Sequence, residues 1–348
     1  MTVRTLEFYS GIGGGLHRAL ELSNVDASVV RAYDWDQTSC RVYEANYGPG
    51  IVRKVDISTL TALDLASENA PLWLLSPSCQ PYTVLNPSAK GSQDPRAKSF
   101  LHLVQQVIPE LARIDQCPKW ILVENVAGFE ASSTRKILLE TLHACNYTTV
   151  ELLLTPLQFG IPNSRLRYYL LAKQLPSSFA NDTPEDCETT QLRAYLDRAA
   201  DSAEDETSSV PDRVLLRWGR LFDIVLPSSR RSCCFTRGYT QLVERAGSIL
   251  QMNEYLDVSP QFSPANRRIL LNILEPLRLR YFTPSELLRL FHFESSTDAG
   301  IRGNKTRAFV WPENVSRKSQ YRLLGNSVNV EVVRRLVNYL FEGDEMPV

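Results

Sequence analysis

Short apolar runs alternate with amphipathic stretches of helical period across the first 175 residues, and that rhythm leaves few folds open. The apolar runs are TLEF, SVVRAYD, PLWLL, KWILVEN, TTVELLL and RYYLLAK. Between them fall GLHRALEL, a polar stretch ending at Tyr47, FLHLVQQVIPELARI and RKILLETLHAC. Strand-length runs separated by helix-length ones predict an α/β domain, a mostly parallel sheet with helices on both faces. In such sheets ligands bind beyond the carboxyl ends of the strands, so the residues that follow each run are the candidates for chemistry.

With 43% hydrophobic residues in 348, the chain can bury a full core. Thirty-eight Lys and Arg against 39 Asp and Glu give a net charge of −1, which excludes a uniformly basic protein that holds nucleic acid by bulk attraction. Any polyanion site is therefore a local patch. No apolar run approaches the roughly 20 residues of a membrane span, and the first residues carry no signal-peptide pattern. Seven cysteines without C-x-x-C spacing fit reduced thiols, with no disulfide framework and no metal site. The expectation is an intracellular monomer, cytoplasmic or nuclear, that does not contact membranes.

The character of the chain changes after residue 175. Residues 176–210 hold nine acidic side chains and two basic ones, which predicts an acidic linker with one helix around residues 191–200. Residues 230–322 reverse the balance, with 15 Lys and Arg against 8 Asp and Glu, and interleave aromatics such as Phe235, Tyr239, Phe282, Phe291 and Tyr321. That mixture suits either a polyanion partner or a plain solvated surface. The expected division is a catalytic domain at 1–175, a linker at 176–212, a smaller recognition lobe at 213–315, and a C-terminal segment at 316–348 that completes the first domain. VEVVRRLVNYLFE reads as its amphipathic helix.

Two candidate sites emerge at strand ends. The first is Tyr9-Ser10-Gly11-Ile12-Gly13-Gly14, a glycine turn between strand and helix. It lacks the third glycine of the dinucleotide fingerprint, since Leu16 stands there, which disfavours a pyrophosphate cradle. Asp34 ends the next strand and offers a carboxylate to ribose hydroxyls; Trp35 offers a stacking face, and Asp56 an acceptor for an exocyclic amine. Together they describe a nucleoside pocket without a phosphate grip, as S-adenosylmethionine requires.

The second site is Cys79, in LLSPSCQPY at the end of an apolar strand. A thiol there has either a lowered pKa and a nucleophilic role, or a place in the core. Glu124 in WILVENV reaches the same sheet edge, and Arg165 and Arg167 follow at i and i+2 in a strand-like segment. The two guanidiniums could hold a phosphate, a base edge or Glu124 itself. One chemistry uses all of these groups. A thiolate adding to C6 of a pyrimidine, with a carboxylic acid at N3, makes C5 nucleophilic toward a methyl sulfonium. The base must be unstacked or already in a loop.

In their order, YSGIGG, AYDWDQ, Asp56-Ile57, SPSCQP, ENV, IPNSRLRYY, RYFTPSELLRLFHF and GNSV resemble the motifs of the cytosine-5 methyltransferase family, from Tyr9 to Val328. The resemblance implies a Rossmann-like S-adenosylmethionine-dependent domain, with Cys79 as nucleophile, Glu124 as N3 partner, Arg165 as a base and carboxylate contact and Arg167 supporting it. It implies cofactor contacts from Tyr9, Ser10, Gly11, Ile12, Gly13, Gly14, Asp34, Trp35, Asp56, Ile57, Ser78, Asn326, Ser327 and Val328. CFT at Cys234-Phe235-Thr236 followed by RGY is similar to the small eukaryotic branch that methylates cytosine 38 in the anticodon loop of aspartate tRNA, a branch once grouped with DNA methyltransferases. Substrate contacts are then implied for Gln80, Asn125, Cys234, Phe235, Thr236, Arg237 and Tyr239. The chain departs from the family at Ser78, where proline is usual before the cysteine, and at Val84, where the branch carries arginine. DNA as substrate, and a catalytically impaired nucleic-acid-binding protein, are the two competing readings.

Overall fold

The computed structural model describes residues 2–82, 91–177, 179, 187–197, 208–242, 244–256, 271, 274–295 and 308–344. Seven strands form the main sheet: β1 (Val3–Phe8), β2 (Ala27–Asp34), β3 (Val52–Lys54), β4 (Leu72–Leu75), β5 (Trp120–Val126), β6 (Tyr147–Leu154) and β7 (Arg167–Gln174). Their spatial order is β3-β2-β1-β4-β5-β7-β6. The first five are parallel neighbours, whereas β7 runs antiparallel between β5 and β6. The rhythm of the sequence thus holds for six strands, since β6 follows a helix and runs in the same direction as β5. Only β7 is reversed, and the link that precedes it holds the 3-10 turn Pro156–Gln158 and no crossover helix.

Strand alternation divides the core. Leu72 and Leu74 of β4 and Trp120 and Leu122 of β5 face one side. Trp73, Leu75, Ile121 and Val123 face the other. The first side carries α1 (Gly15–Glu21), α2 (Gln37–Tyr47) and the C-terminal helix; the second carries α3 (Ala62–Ala66), α4 (Lys98–His102), α5 (Ile108–Arg113) and α6 (Ser133–Ala144). Between α4 and α5 a π-helical turn at Leu103–Val107 precedes Pro109, whose missing N–H and ring would disrupt a regular α-helical turn. Side-chain caps fix helix starts: Asp36 accepts from Ser39 N at the head of α2, and Ser132 from Arg135 N at the head of α6.

A second, three-stranded sheet follows, built from β8 (Asp223–Val225), β9 (Ser248–Gln251) and β10 (Leu279–Arg280) in the order β10-β9-β8. With α7 (Asp212–Trp218) it encloses a small core of Val210, Leu215, Ile249, Leu274, Leu277 and Leu279. The predicted helix at residues 191–200 is a 3-10 turn at Leu192–Tyr195, and residues 198–207 lie outside the described residues. After α8 (Pro284–Leu290) the chain returns through α9 (Arg317–Gly325) to α10 (Val330–Phe341), whose apolar face lies against α1. The amphipathic reading of VEVVRRLVNYLFE is borne out by this packing.

The order of β1 and β4 sets the position of the site. The chain winds one way from β1 to β2 and β3 and the other way from β4 to β5, so the turns after β1 and β4 diverge and leave a crevice at their carboxyl ends. The glycine turn follows β1, and Cys79 follows β4.

The C-terminal return is held by a buried cation. Lys173 on β7 is fully buried, pairs with Asp344 at 3.4 Å and donates to Glu342 O at 2.9 Å, while Trp120 Nε1 donates to Asp344 Oδ2 at 2.6 Å. Asp344→Ala leaves a buried ammonium without its counter-ion. The expected loss is about 3 kcal/mol, read as a lower urea midpoint at unchanged slope; a midpoint equal to wild type would show that this ion pair does not hold the C-terminal return.

Candidate active site

The turn after β1 owes its shape to positive φ angles at Tyr9, Gly11, Gly13 and Gly14. At Gly14 (φ +64°) a Cβ would stand 2.7 Å from the Tyr43 ring and 2.9 Å from His17 Cβ, so only glycine fits. Asp34 organises this turn from the end of β2. Its Oδ2 accepts from Gly11 N at 2.8 Å and its Oδ1 from Asp36 N at 2.7 Å. A carboxylate oxygen has more than one acceptor site, so Asp34, which lines the cleft, retains capacity for a ligand hydroxyl.

The cleft at the strand ends has a volume of about 240 Å³. From the predicted cofactor set, Tyr9, Ser10, Gly11, Ile12, Asp34, Ser78, Asn326, Ser327 and Val328 line it, together with Cys79, Gln80, Glu124, Arg165 and Arg167. Gly13 and Gly14 shape the turn without lining the cleft. Trp35 stands 71% exposed beside Asp34 and offers an open indole face. Asp56 and Ile57 are not among the described lining residues. Asp56 Oδ1 accepts from Ser58 N at 2.9 Å and Ser58 Oγ at 2.8 Å, bonds that hold its carboxyl below the usual range, and Ile57 is buried.

Cys79 is half-buried, and its electrostatics correct the expectation of a lowered pKa. Burial is the largest effect and pushes the thiol up; the Glu124 carboxylate adds to the rise, and Arg167 and Arg165 oppose it. Burial also raises Glu124, with the same two arginines opposing. Both groups therefore titrate above their ordinary values.

The two arginines divide their work differently from expectation. Arg167 Nε lies 3.5 Å from Glu124 Oε1, so Arg167 is the carboxylate's ion-pair partner. Arg165 lies just before β7 and is buried. Its Nη1 donates to Phe235 O at 2.9 Å, and its Nη2 to Gly325 O at 3.2 Å and to Ser327 O. Both guanidiniums also approach Cys234 Sγ, at 3.5 and 3.6 Å. Arg165 therefore clamps the CFT segment to the GNSV loop beside Cys79. Gly325 permits that approach, since a Cβ there would lie 2.1 Å from Arg237 N.

Several predicted substrate contacts are corrected by burial. Phe235 and Tyr239 are core residues: their rings meet edge to face at 5.0 Å, and Tyr239 OH donates to Ser248 O and accepts from Phe282 N. Phe282, Phe291 and Tyr321 are buried as well. Asn125 is buried, and its Nδ2 donates to Pro77 O at 3.2 Å, which braces the loop carrying Cys79. Thr236 is half-buried with its N–H donating to Ala246 O, and Arg237 is exposed. Val84 lies outside the described residues.

Three neighbours were missed by sequence reasoning. Glu7 of β1 is fully buried and lines the cleft; it accepts from Tyr43 OH at 3.0 Å and His17 N at 3.3 Å, and burial pushes its pKa to about 8. Its signal was one acid inside the apolar run TLEF. Asp36 pairs with Arg322 at 3.0 Å and joins α2 to α9 at the rim. Arg96 pairs with Asp94 at 2.6 Å and donates to Gln80 Oε1, next to the cysteine.

The chain that builds this cleft is similar along nearly its whole length to known proteins. Residues 3–342 match the family model for C-5 cytosine-specific DNA methylase. A Schizosaccharomyces pombe protein named tRNA (cytosine(38)-C(5))-methyltransferase is 40% identical over 98% of this chain and 97% of its own. A Dictyostelium discoideum protein named DNA (cytosine-5)-methyltransferase is 32% identical over 99% of this chain and 95% of its own. The crystal structure of S. pombe Dnmt2 methyltransferase superposes with a TM-score of 0.80 at 38% identity, covering 98% of this chain and 99% of that one. With fold, cleft and nearly the whole sequence in agreement, this chain belongs to the C-5 cytosine-specific methylase family and is a methyltransferase.

Proposed function

We propose that the protein methylates C5 of cytosine 38 in the anticodon loop of a tRNA, aspartate tRNA in the first instance, using S-adenosylmethionine and a covalent bond from Cys79 to C6. The observation that carries this reading is the convergence of Cys79, Glu124, Arg165 and Arg167 on the same cleft as the glycine turn. The full-length likeness to the S. pombe relative supports RNA over DNA.

The residues present fit the adenosyl donor. Ser10 Oγ lines the cleft and is buried without a hydrogen-bond partner among the described residues, a cost that a ligand's polar group would remove. Asp34 has spare acceptor capacity and Trp35 an open face. Asn326, Ser327 and Val328 close the opposite wall. When bound, S-adenosylmethionine supplies an electrophilic methyl group.

The chain's own groups prepare the cytosine. Glu124, whose carboxyl burial shifts upward, takes its acid form as the base binds and donates a proton to N3 as the Cys79 sulfur adds to C6. Electron density then moves to C5, which becomes the nucleophile. Once C5 carries the methyl, the C5 proton passes to a base, the C5–C6 double bond reforms, Cys79 leaves as thiolate and N3 returns its proton to Glu124. The pair is coupled in sign. A neutral Glu124 no longer pushes the thiol upward, so Arg165 and Arg167 act on Cys79 unopposed by it. Base binding that favours the acid form at residue 124 therefore favours the anion at residue 79.

Bisulfite sequencing of tRNA before and after incubation tests the reading. Wild type is expected to protect cytosine 38, and Cys79→Ala to leave it unprotected; protection by both proteins would remove Cys79 as nucleophile. Duplex DNA assayed in parallel should gain far less methyl, and a clear preference for DNA would overturn the RNA assignment, for which the Dictyostelium relative supplies the alternative.

Glu124→Gln separates the two roles of the carboxyl. Methyl transfer should fall on the order of 10²-fold, because the amide cannot deliver a proton to N3. Alkylation of Cys79 by iodoacetamide, followed by peptide mass spectrometry, should instead become faster at pH 8, since the charge that raised the thiol is gone. In wild type that alkylation should climb about tenfold per pH unit from 7 to 9 without a plateau, because the thiol titrates above its ordinary value. A plateau near pH 7 would contradict the electrostatics.

A further inference from the structure

We infer that α7 is a docking face for the RNA backbone, outside the catalytic cleft. Its sequence, Asp212-Arg213-Val214-Leu215-Leu216-Arg217-Trp218, continues through the 3-10 turn Gly219–Leu221. Leu215 is buried in the small core, whereas Arg213, Arg217 and Arg220 are exposed. Arg213 and Arg217, four residues apart, share one face of α7 about 6 Å apart along its axis, and Arg220 is exposed in the turn that follows. Asp212 is the lone acid in residues 211–221, so the stripe is locally basic in a chain of net charge −1.

An aromatic accompanies the charge. Trp218 remains 38% exposed with the Arg217 guanidinium 4.9 Å from its ring centroid, and Leu221 beside it is also exposed. A solvated helix face has no need of an exposed indole, whereas arginines beside an aromatic suit phosphates and unstacked bases.

The face is wired to the cleft. Directly after the turn, Asp223 of β8 accepts from Ser248 Oγ, and that oxygen accepts from Cys233 N at 2.7 Å. The next residue, Cys234, meets both active-site arginines. The segment after α7 is thus joined through Ser248 to the segment that carries Cys234 at the cleft. The inference rests on the reading that the substrate is RNA and adds the surface that carries affinity.

The test uses the full chain and whole tRNA. Arg213→Gln, Arg217→Gln and Arg220→Gln combined should weaken tRNA binding at least tenfold at 100 mM salt and lower the slope of log affinity against log salt by about 2, at roughly 0.7–0.9 per phosphate contact. The triple lysine variant keeps the charge and should keep the slope, which separates lost contacts from misfolding. Trp218→Ala should weaken binding about fivefold with the slope unchanged, since stacking releases no counter-ions. The kcat at saturating tRNA should stay within twofold throughout. Wild-type affinity and slope in the triple glutamine variant would overturn the inference and leave the stripe to an acidic protein partner. Failure of wild type to methylate tRNA would instead overturn the RNA reading, and the binding slopes would still decide for or against α7.

Discussion

A buried guanidinium is tolerable only if most of its N–H groups find acceptors; the two Nη groups of Arg165 find them in segments far apart along the chain, while its Nε has none among the described residues. It takes the carbonyls of Phe235, Gly325 and Ser327 and lies 5.3 Å from the Phe291 ring. These contacts hold the CFT segment and the GNSV loop against the end of β7, where Cys79 and Glu124 arrive from β4 and β5. Removing the clamp would take a donor from three carbonyls at the cleft wall, so the placing of these two segments beside Cys79 depends on this one side chain.

The neighbouring arginine completes an electrostatic set that is balanced rather than simply attractive. Burial raises both the Cys79 thiol and the Glu124 carboxyl, and the two guanidiniums hold those rises in check. A thiol whose pKa is raised is protected from adventitious chemistry, and under the proposed mechanism a base that shares a proton with residue 124 is what tips it. Cys234 behaves oppositely: despite burial, its two arginine neighbours pull its pKa down. The same pair of cations thus lowers the pKa of one thiol and only limits the rise of the other.

Much of this was legible in the sequence because it is local. Strand and helix periods gave the six strands that run one way and the C-terminal helix, and the turn glycines, Asp34, Cys79 and Glu124 were visible as residues at strand ends. What was hidden depends on partners distant in sequence. Arg165 meets carbonyls 70 to 162 residues away, which no spacing rule reveals. Phe235 and Tyr239 read as a nucleic-acid surface because aromatics beside arginines look alike whether they face solvent or core; only the packing around Phe282 decides. Glu7 was hidden by its apolar neighbours, and the arginine stripe on α7 fell in a short helix between two segments singled out for their charge.

The central claim is that the sulfur of Cys79 bonds to the target ring. It is tested most directly with tRNA that carries 5-fluorocytosine at position 38, where the C5 substituent cannot leave as a proton and the adduct cannot resolve. With S-adenosylmethionine present, a denaturation-resistant complex should form, and peptide mass spectrometry should locate the nucleotide on Cys79. A wild-type enzyme that methylates ordinary tRNA yet forms no such complex, or forms it on another residue, would contradict the account.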